Sequence, residues 1–162
     1  VLHMRPGADS ALSDILDRAG PLPASPARNG EHVEGGRIYT SWPGHHLLLD
    51  GDVLQMTHSA GEHGPRPSID MLFRSAVAAF GAAVTGVLLS GMLHDGVNGM
   101  AAINEAGGRT IVQDPADAIF PNLPTQALRA FTPDHVVRAA DIGAVFTGDQ
   151  TPTGSESGRP PG

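Results

Sequence analysis

Residues 84–100, VTGVLLSGMLHDGVNGM, pass from an apolar run into a polar, glycine-marked turn and then into a helical pattern. Val84, Val87, Leu88 and Leu89 are aliphatic without alternation, which predicts a strand covered on both faces, as in a parallel sheet. Gly91, Gly96 and Gly99 supply backbone freedom where the chain leaves that strand. Met100, Ile103 and Ala106 then fall at helical spacing, with Gly107 as the stop. The result is a strand, loop and helix unit with Asp95 and His94 in its turn. In open α/β sheets, sites gather outside the carboxyl ends of such strands. Two readings of Asp95 are open at this point: a chemical role, or a cap for the helix that follows it.

The 162 residues suffice for one domain with one substantial core. Cysteine is absent, which excludes disulfides, thiolate metal sites and a cysteine nucleophile. A net charge of −7 with ten scattered basic residues argues against nucleic-acid binding. No run of about 18 apolar residues and no leader pattern is visible, so neither membrane insertion nor secretion is expected and the location is taken as cytoplasmic. Val1 and Leu2 read as the end of a buried strand whose beginning lies upstream or whose partner is missing.

Around the central unit the pattern alternates between helix and strand. Asp9 or Ser10 caps a predicted helix with Leu12, Ile15, Leu16 and Ala19 on one face. The Pro- and Gly-rich segment 22–35 is a connection with room for a short edge strand. RIYTSW, residues 37–42, is β-rich, and residues 46–49 and 53–57 flank Asp50-Gly51 as a predicted hairpin. Residues 58–67 form a polar loop; Ser68 then caps a helix with Ile69, Leu72, Phe73, Ala76 and Phe80 on one face. Further on come a strand at 110–113, a helix at 125–130, a short strand at 135–137 and a helical segment at 139–146. Residues 1–146 are read as the domain and 147–162, nearly without apolar content, as a disordered tail.

His3 and Asp95 each follow an apolar strand and sit in a glycine-containing turn before a helix. In a parallel sheet both turns open on one edge, where an imidazole and a carboxylate would meet as the base half of a nucleophilic hydrolase. No metal site is expected. His45 and His46 are adjacent and would point to opposite strand faces, and His58, Glu62 and His63 lack a ligand spacing. Ser90 reads as a strand-end hydrogen-bonding residue, since LLSG lacks the sharp glycine-flanked nucleophile turn. Trp42 suits packing or the mouth of a cleft.

Five segments in order resemble the catalytic domain of the protein-glutamate methylesterase of bacterial chemotaxis, the CheB type. They are HMRPG (3–7), GRIYTSWPGHHLLL (36–49), RPSIDMLFRSA (66–76), LLSGMLHDGVNGM (88–100) and GGRTIVQDPADAIFPNLPTQAL (107–128). The resemblance implies a three-layer α/β/α fold, with a mainly parallel sheet, an antiparallel hairpin and, in this chain, a missing first strand. It also implies hydrolysis of glutamate γ-methyl esters on methylated chemoreceptors, with glutamine deamidation in many members, by a Ser, His, Asp triad without a cofactor. His3 would be the general base, Asp95 its orienting carboxylate, the backbone N–H near Met92 an oxyanion-hole donor, and Arg66 a substrate contact at the cleft rim. The family's serine lies upstream of His3 and has no counterpart here. Nor is there a receiver domain, so any signalling regulator would lie on another chain. Leu93, Pro65 and Ser41 stand where the family commonly has glycine, histidine and alanine. The rival readings are a catalytically inactive, methylesterase-like binding or scaffold module, and an acyl hydrolase using another serine.

Overall fold

The computed structural model describes residues 1–3, 10–58 and 66–148. The expectations for Met4 to Asp9, for Glu62, His63 and Pro65, and for the tail beyond Gly148 fall outside them.

Helix α1 (Leu12–Ala19) starts where the Ser10 hydroxyl accepts the Leu12 N–H at 3.3 Å. Its inward stripe is Leu12, Ser13 and Leu16; Ile15, expected on the buried face, is exposed. The helix packs chiefly on β1 (Ala24–Pro26) and β2 (Ile38–Thr40), a two-stranded parallel pair too narrow to cover a wider apolar face. The hairpin β3 (His46–Asp50) and β4 (Val53–Thr57) pairs Asp50 with Val53. Its two-residue turn is therefore Gly51-Asp52, one step later than the sequence suggests. Gly51, at φ 58°, takes the first turn position that glycine favours.

Helix α2 (Ile69–Phe80) is capped by Ser68, whose hydroxyl accepts the Met71 N–H. Strand β5 (Thr85–Leu88) leads to α3 (Val97–Glu105), then β6 (Arg109–Gln113), α4 (Asn122–Ala130), β7 (His135–Val137) and α5 (Ile142–Thr147). The last helix takes in Thr147, one residue past the expected domain end. Helix α3 stops in a Schellman turn, with Gly107 N–H on the Asn104 carbonyl and Gly108 N–H on the Ile103 carbonyl. Strands β5, β6 and β7 form a parallel sheet in that order.

The architecture is thus α/β with parallel pairing and one antiparallel hairpin, as expected. Among the described residues the pairing is divided over three separate sheets instead of one. The main core lies between β5 and β6 and helices α2, α3 and α4, where Leu88, Met100, Ile103, Val112 and Ala127 are sealed from solvent. A second cluster of Ala27, Leu47 and Leu54 sits under the hairpin, and Leu72 of α2 packs on it. Strand β5 departs from expectation: Leu88 is buried, but Val87 is only half-buried and Leu89 is exposed. Both border an apolar trough that Val1 and Leu2 also line; these two, expected at the end of a buried strand, are exposed and belong to no strand.

Candidate active site

His3 and Asp95 meet beyond the carboxyl end of β5. The His3 Nε2–H donates to Asp95 Oδ2 at 2.8 Å, across 92 residues of chain. An ionised carboxylate only accepts, so Nε2 carries a proton, and Nδ1 is the nitrogen that the neutral form of the imidazole offers as a base. The imidazole is 33% exposed and the carboxylate 8%, which leaves the base open to a substrate while its partner is sealed.

Asp95 is held from several sides. Ile69 N–H donates to Oδ2 at 2.6 Å; Asp70 N–H and the Ser68 hydroxyl donate to Oδ1 at 3.1 and 2.9 Å. The carboxylate therefore caps a helix, but not the one that follows it: it closes the amino end of α2, where the first N–H groups lack intrahelical partners. The reading of Asp95 as a cap for the helix after it is thus corrected: the helix it caps is α2, which begins 26 residues earlier. Burial works to raise its pKa, yet the hydrogen bonds from His3, Ile69, Asp70 and Ser68 together outweigh it and hold the group below the ordinary carboxylate value.

Behind Ser68 stands His46, buried in β3, whose Nδ1 accepts the Ser68 N–H at 3.1 Å. An imidazolium has no acceptor nitrogen, so His46 is neutral with its proton on Nε2. The chain His46, Ser68, Asp95, His3 runs from the hairpin to the site. Sequence reasoning missed Ser68 and His46 in this role. The only local signal was Ser68 as a helix cap.

The trough beside the pair has a volume of about 770 Å³ and is walled by Leu2, His3, Val87, Leu89, Met92, Leu93, Asp95, Ile119 and Phe120, among others. Met92 projects its side chain into solvent, and its N–H meets no acceptor among the described residues. The Gly91 carbonyl of the same peptide accepts the Leu123 N–H of α4 at 2.9 Å, so the Met92 N–H, in the same plane but on the opposite edge, points away from that contact. The Asn122 amide donates to the Met92 carbonyl, and at 3.5 Å to that of Leu93.

Ser90 is engaged elsewhere: its hydroxyl accepts the Phe120 N–H at 2.8 Å, and its own N–H donates to Gln113 Oε1. Arg66 is half-buried just before Ser68 and is not among the trough's lining side chains. Among the described residues no cluster of three His, Asp or Glu side chains could hold a metal. His45 and His58 touch ring to ring at 5.1 Å, but the Nδ1 of each is turned to a backbone carbonyl. Trp42 donates its indole N–H to the Ala27 carbonyl while half its surface stays exposed. No helix among the described residues is long and apolar enough to cross a membrane.

The family profile described as CheB methylesterase matches residues 1–146. A protein-glutamate methylesterase/protein-glutamine glutaminase of Myxococcus xanthus is 36% identical over 99% of this chain and 45% of its own length. One from Anaeromyxobacter dehalogenans is 40% identical over 85% of this chain and 41% of its own length. The chain thus spans less than half the length of these curated relatives. The crystal structure of the Thermotoga maritima CheB methylesterase catalytic domain superposes with a TM-score of 0.83 at 26% identity, covering 90% of this chain and 79% of that one.

Proposed function

This chain belongs to the CheB methylesterase family, and from that premise we propose that His3 and Asp95 are the base half of a site that hydrolyses glutamate γ-methyl esters on a chemoreceptor. The observation that carries the reading is the 2.8 Å bond from His3 Nε2 to a sealed carboxylate, made beside an open apolar trough. A serine hydroxyl contributed from outside these 162 residues attacks the ester carbonyl carbon, and its proton passes to His3 Nδ1. The tetrahedral oxyanion is held by the Met92 N–H. As the intermediate collapses, the imidazolium returns the proton to the leaving methoxide, giving methanol and an acyl-enzyme. Water, deprotonated by His3, then attacks the acyl carbon, and as the bond to the serine oxygen breaks the imidazolium returns the proton to it, freeing the glutamate carboxylate. A glutamine side chain follows the same course with ammonia as the leaving group.

Asp95 fixes the tautomer throughout and stabilises the imidazolium; no cofactor enters. Arg66, on the loop before α2 and outside the trough's own lining, is kept as a proposed substrate contact. Any phosphorylation-dependent regulator acts from another chain or domain, and the setting is cytoplasmic. The rival of an inactive binding module draws on the serines: Ser68 and Ser90, the two near the site, are both committed to structural hydrogen bonds.

Methanol release from methylated receptor decides between them. The test protein carries residues 1–162 behind a serine-bearing strand. It should turn over, and His3→Ala or Asp95→Ala should remove at least about 10³-fold of that rate, the scale typical of such triads. Equal rates for these variants and the parent would dismiss the His3–Asp95 site. Undiminished receptor binding with no turnover in any form would favour the module.

A further inference from the structure

We infer that Asp70 is a positioning residue for Asp95, holding the carboxylate that orients His3 by tying the amino ends of α2 and α3 to each other. The inference rests on the reading of His3 and Asp95 as a functional pair. Asp95 precedes α3, yet it caps α2 through the Ile69 and Asp70 N–H groups. Asp70, in the first turn of α2, returns the arrangement: its Oδ1 accepts the Gly99 N–H of α3 at 2.6 Å. Each helix thus receives its capping carboxylate from the neighbourhood of the other, and the two bonds close a ring through Asp70, Gly99 and the short stretch of chain back to Asp95.

The ring needs close contact, and Gly99 supplies it. A Cβ there would lie 2.7 Å from Phe73 Cβ and 3.2 Å from the Asp70 Cα. No cation pairs with Asp70 among the described residues, so the unpaired N–H groups of a helix end answer its charge. If the Asp70–Gly99 bond were lost, α3 and the turn carrying Asp95 would be free to shift against α2. The carboxylate would then leave the N–H groups that aim it at His3. A carboxylate that only stabilised α3 would have no such effect on Asp95.

The titration of Asp95, followed by its side-chain ¹³C carboxyl resonance in the 162-residue chain, separates the two roles. The groups facing Asp95 are the His3 imidazole, the Ser68 hydroxyl and the Ile69 and Asp70 N–H groups. Asp70→Ala removes a negative charge nearby, which by itself would make Asp95 easier to ionise; a loosened cage makes it harder. The expected result is an upward shift of the Asp95 midpoint in Asp70→Ala. In Asp70→Asn, whose amide oxygen still accepts from Gly99, no upward shift is expected. An unchanged or lowered midpoint in Asp70→Ala, or an upward shift in both variants, would overturn the inference.

If Asp70→Ala does not fold, hydrogen exchange on the unmodified chain decides. The Gly99 and Ile69 amides should open together, and free exchange at Gly99 with Ile69 still protected would overturn the tie. Neither measurement needs turnover. Failure of the esterase reading would instead show in methanol release that is indifferent to His3, with these results unaffected.

Discussion

The Ser68 hydroxyl donates to Asp95 Oδ1 at 2.9 Å while accepting the Met71 N–H, so one oxygen both begins α2 and steadies the carboxylate that holds His3. Ser68→Ala removes both bonds. A loss of about 1–2 kcal/mol in urea unfolding is expected, the usual cost of deleting a helix cap. Ser68→Thr, which keeps the hydroxyl, should recover most of it. A Ser68→Ala chain as stable as the parent would mean the cap contributes nothing.

The acid limb of stability should carry the signature of Asp95. Its folded pKa is depressed, because the hydrogen bonds from His3, Ile69, Asp70 and Ser68 outweigh burial. The resulting stabilisation is fully present above the unfolded-state value of about 3.9 and is lost as pH falls from there through the lower folded value. Subtracting the unfolding free energy of Asp95→Asn from that of the parent should give a difference that shrinks as pH falls below ~4. A difference that grew over that acid range would contradict the sign.

Gly96 turns the chain into α3 at φ 105°, and a Cβ there would sit 2.8 Å from Leu88 Cδ1 and 2.9 Å from Ile69 Cγ2. Gly96→Ala should cost roughly 2–4 kcal/mol by thermal or urea unfolding, strain and overpacking adding together. Gly30, also at positive φ but with nothing within 4 Å of a Cβ, is the control and should lose less.

Asn122 reaches from α4 to the Met92 and Leu93 carbonyls at the exposed lip of the trough. In the serine-bearing protein, Asn122→Ala should lower kcat roughly tenfold with little change in KM. It holds the carbonyl of Met92, the residue whose N–H on the preceding peptide is proposed to meet the oxyanion, which exists only after attack. Unfolding should move by no more than about 0.5 kcal/mol, as for an exposed site. A change in KM alone would assign Asn122 to substrate binding.

Much of the fold was legible because its signals are local. Gly107 and Gly108 after a helical repeat end α3 as their lack of a Cβ allows, and β6 forms where a short strand was expected, although it and not β5 is the middle strand of the sheet. Ser68 begins α2 because a short hydroxyl reaches N–H groups within its own turn. Where neighbours decide exposure, local reading failed. Val87 and Leu89 have the composition of a strand covered twice, but one face borders the trough; Ile15 has helical spacing, but α1 has too little surface beneath it.

The site divides in the same way. The sequence alone offered His3 and Asp95 as strand-end residues, and it could name a carboxylate in a turn as a helix cap. It could not say which helix. Asp95 meets the N–H groups of Ile69 and Asp70, some 25 residues earlier, only because α2 and α3 pack with their amino ends side by side over Gly96 and Gly99. His46, read from sequence as one of two strand histidines, becomes an acceptor for Ser68 only when the hairpin packs against α2. Capping and hydrogen bonding act over about 3 Å. Periodicity determined which residues form helices and strands, and the packing of those elements alone decided which polar groups came within that distance.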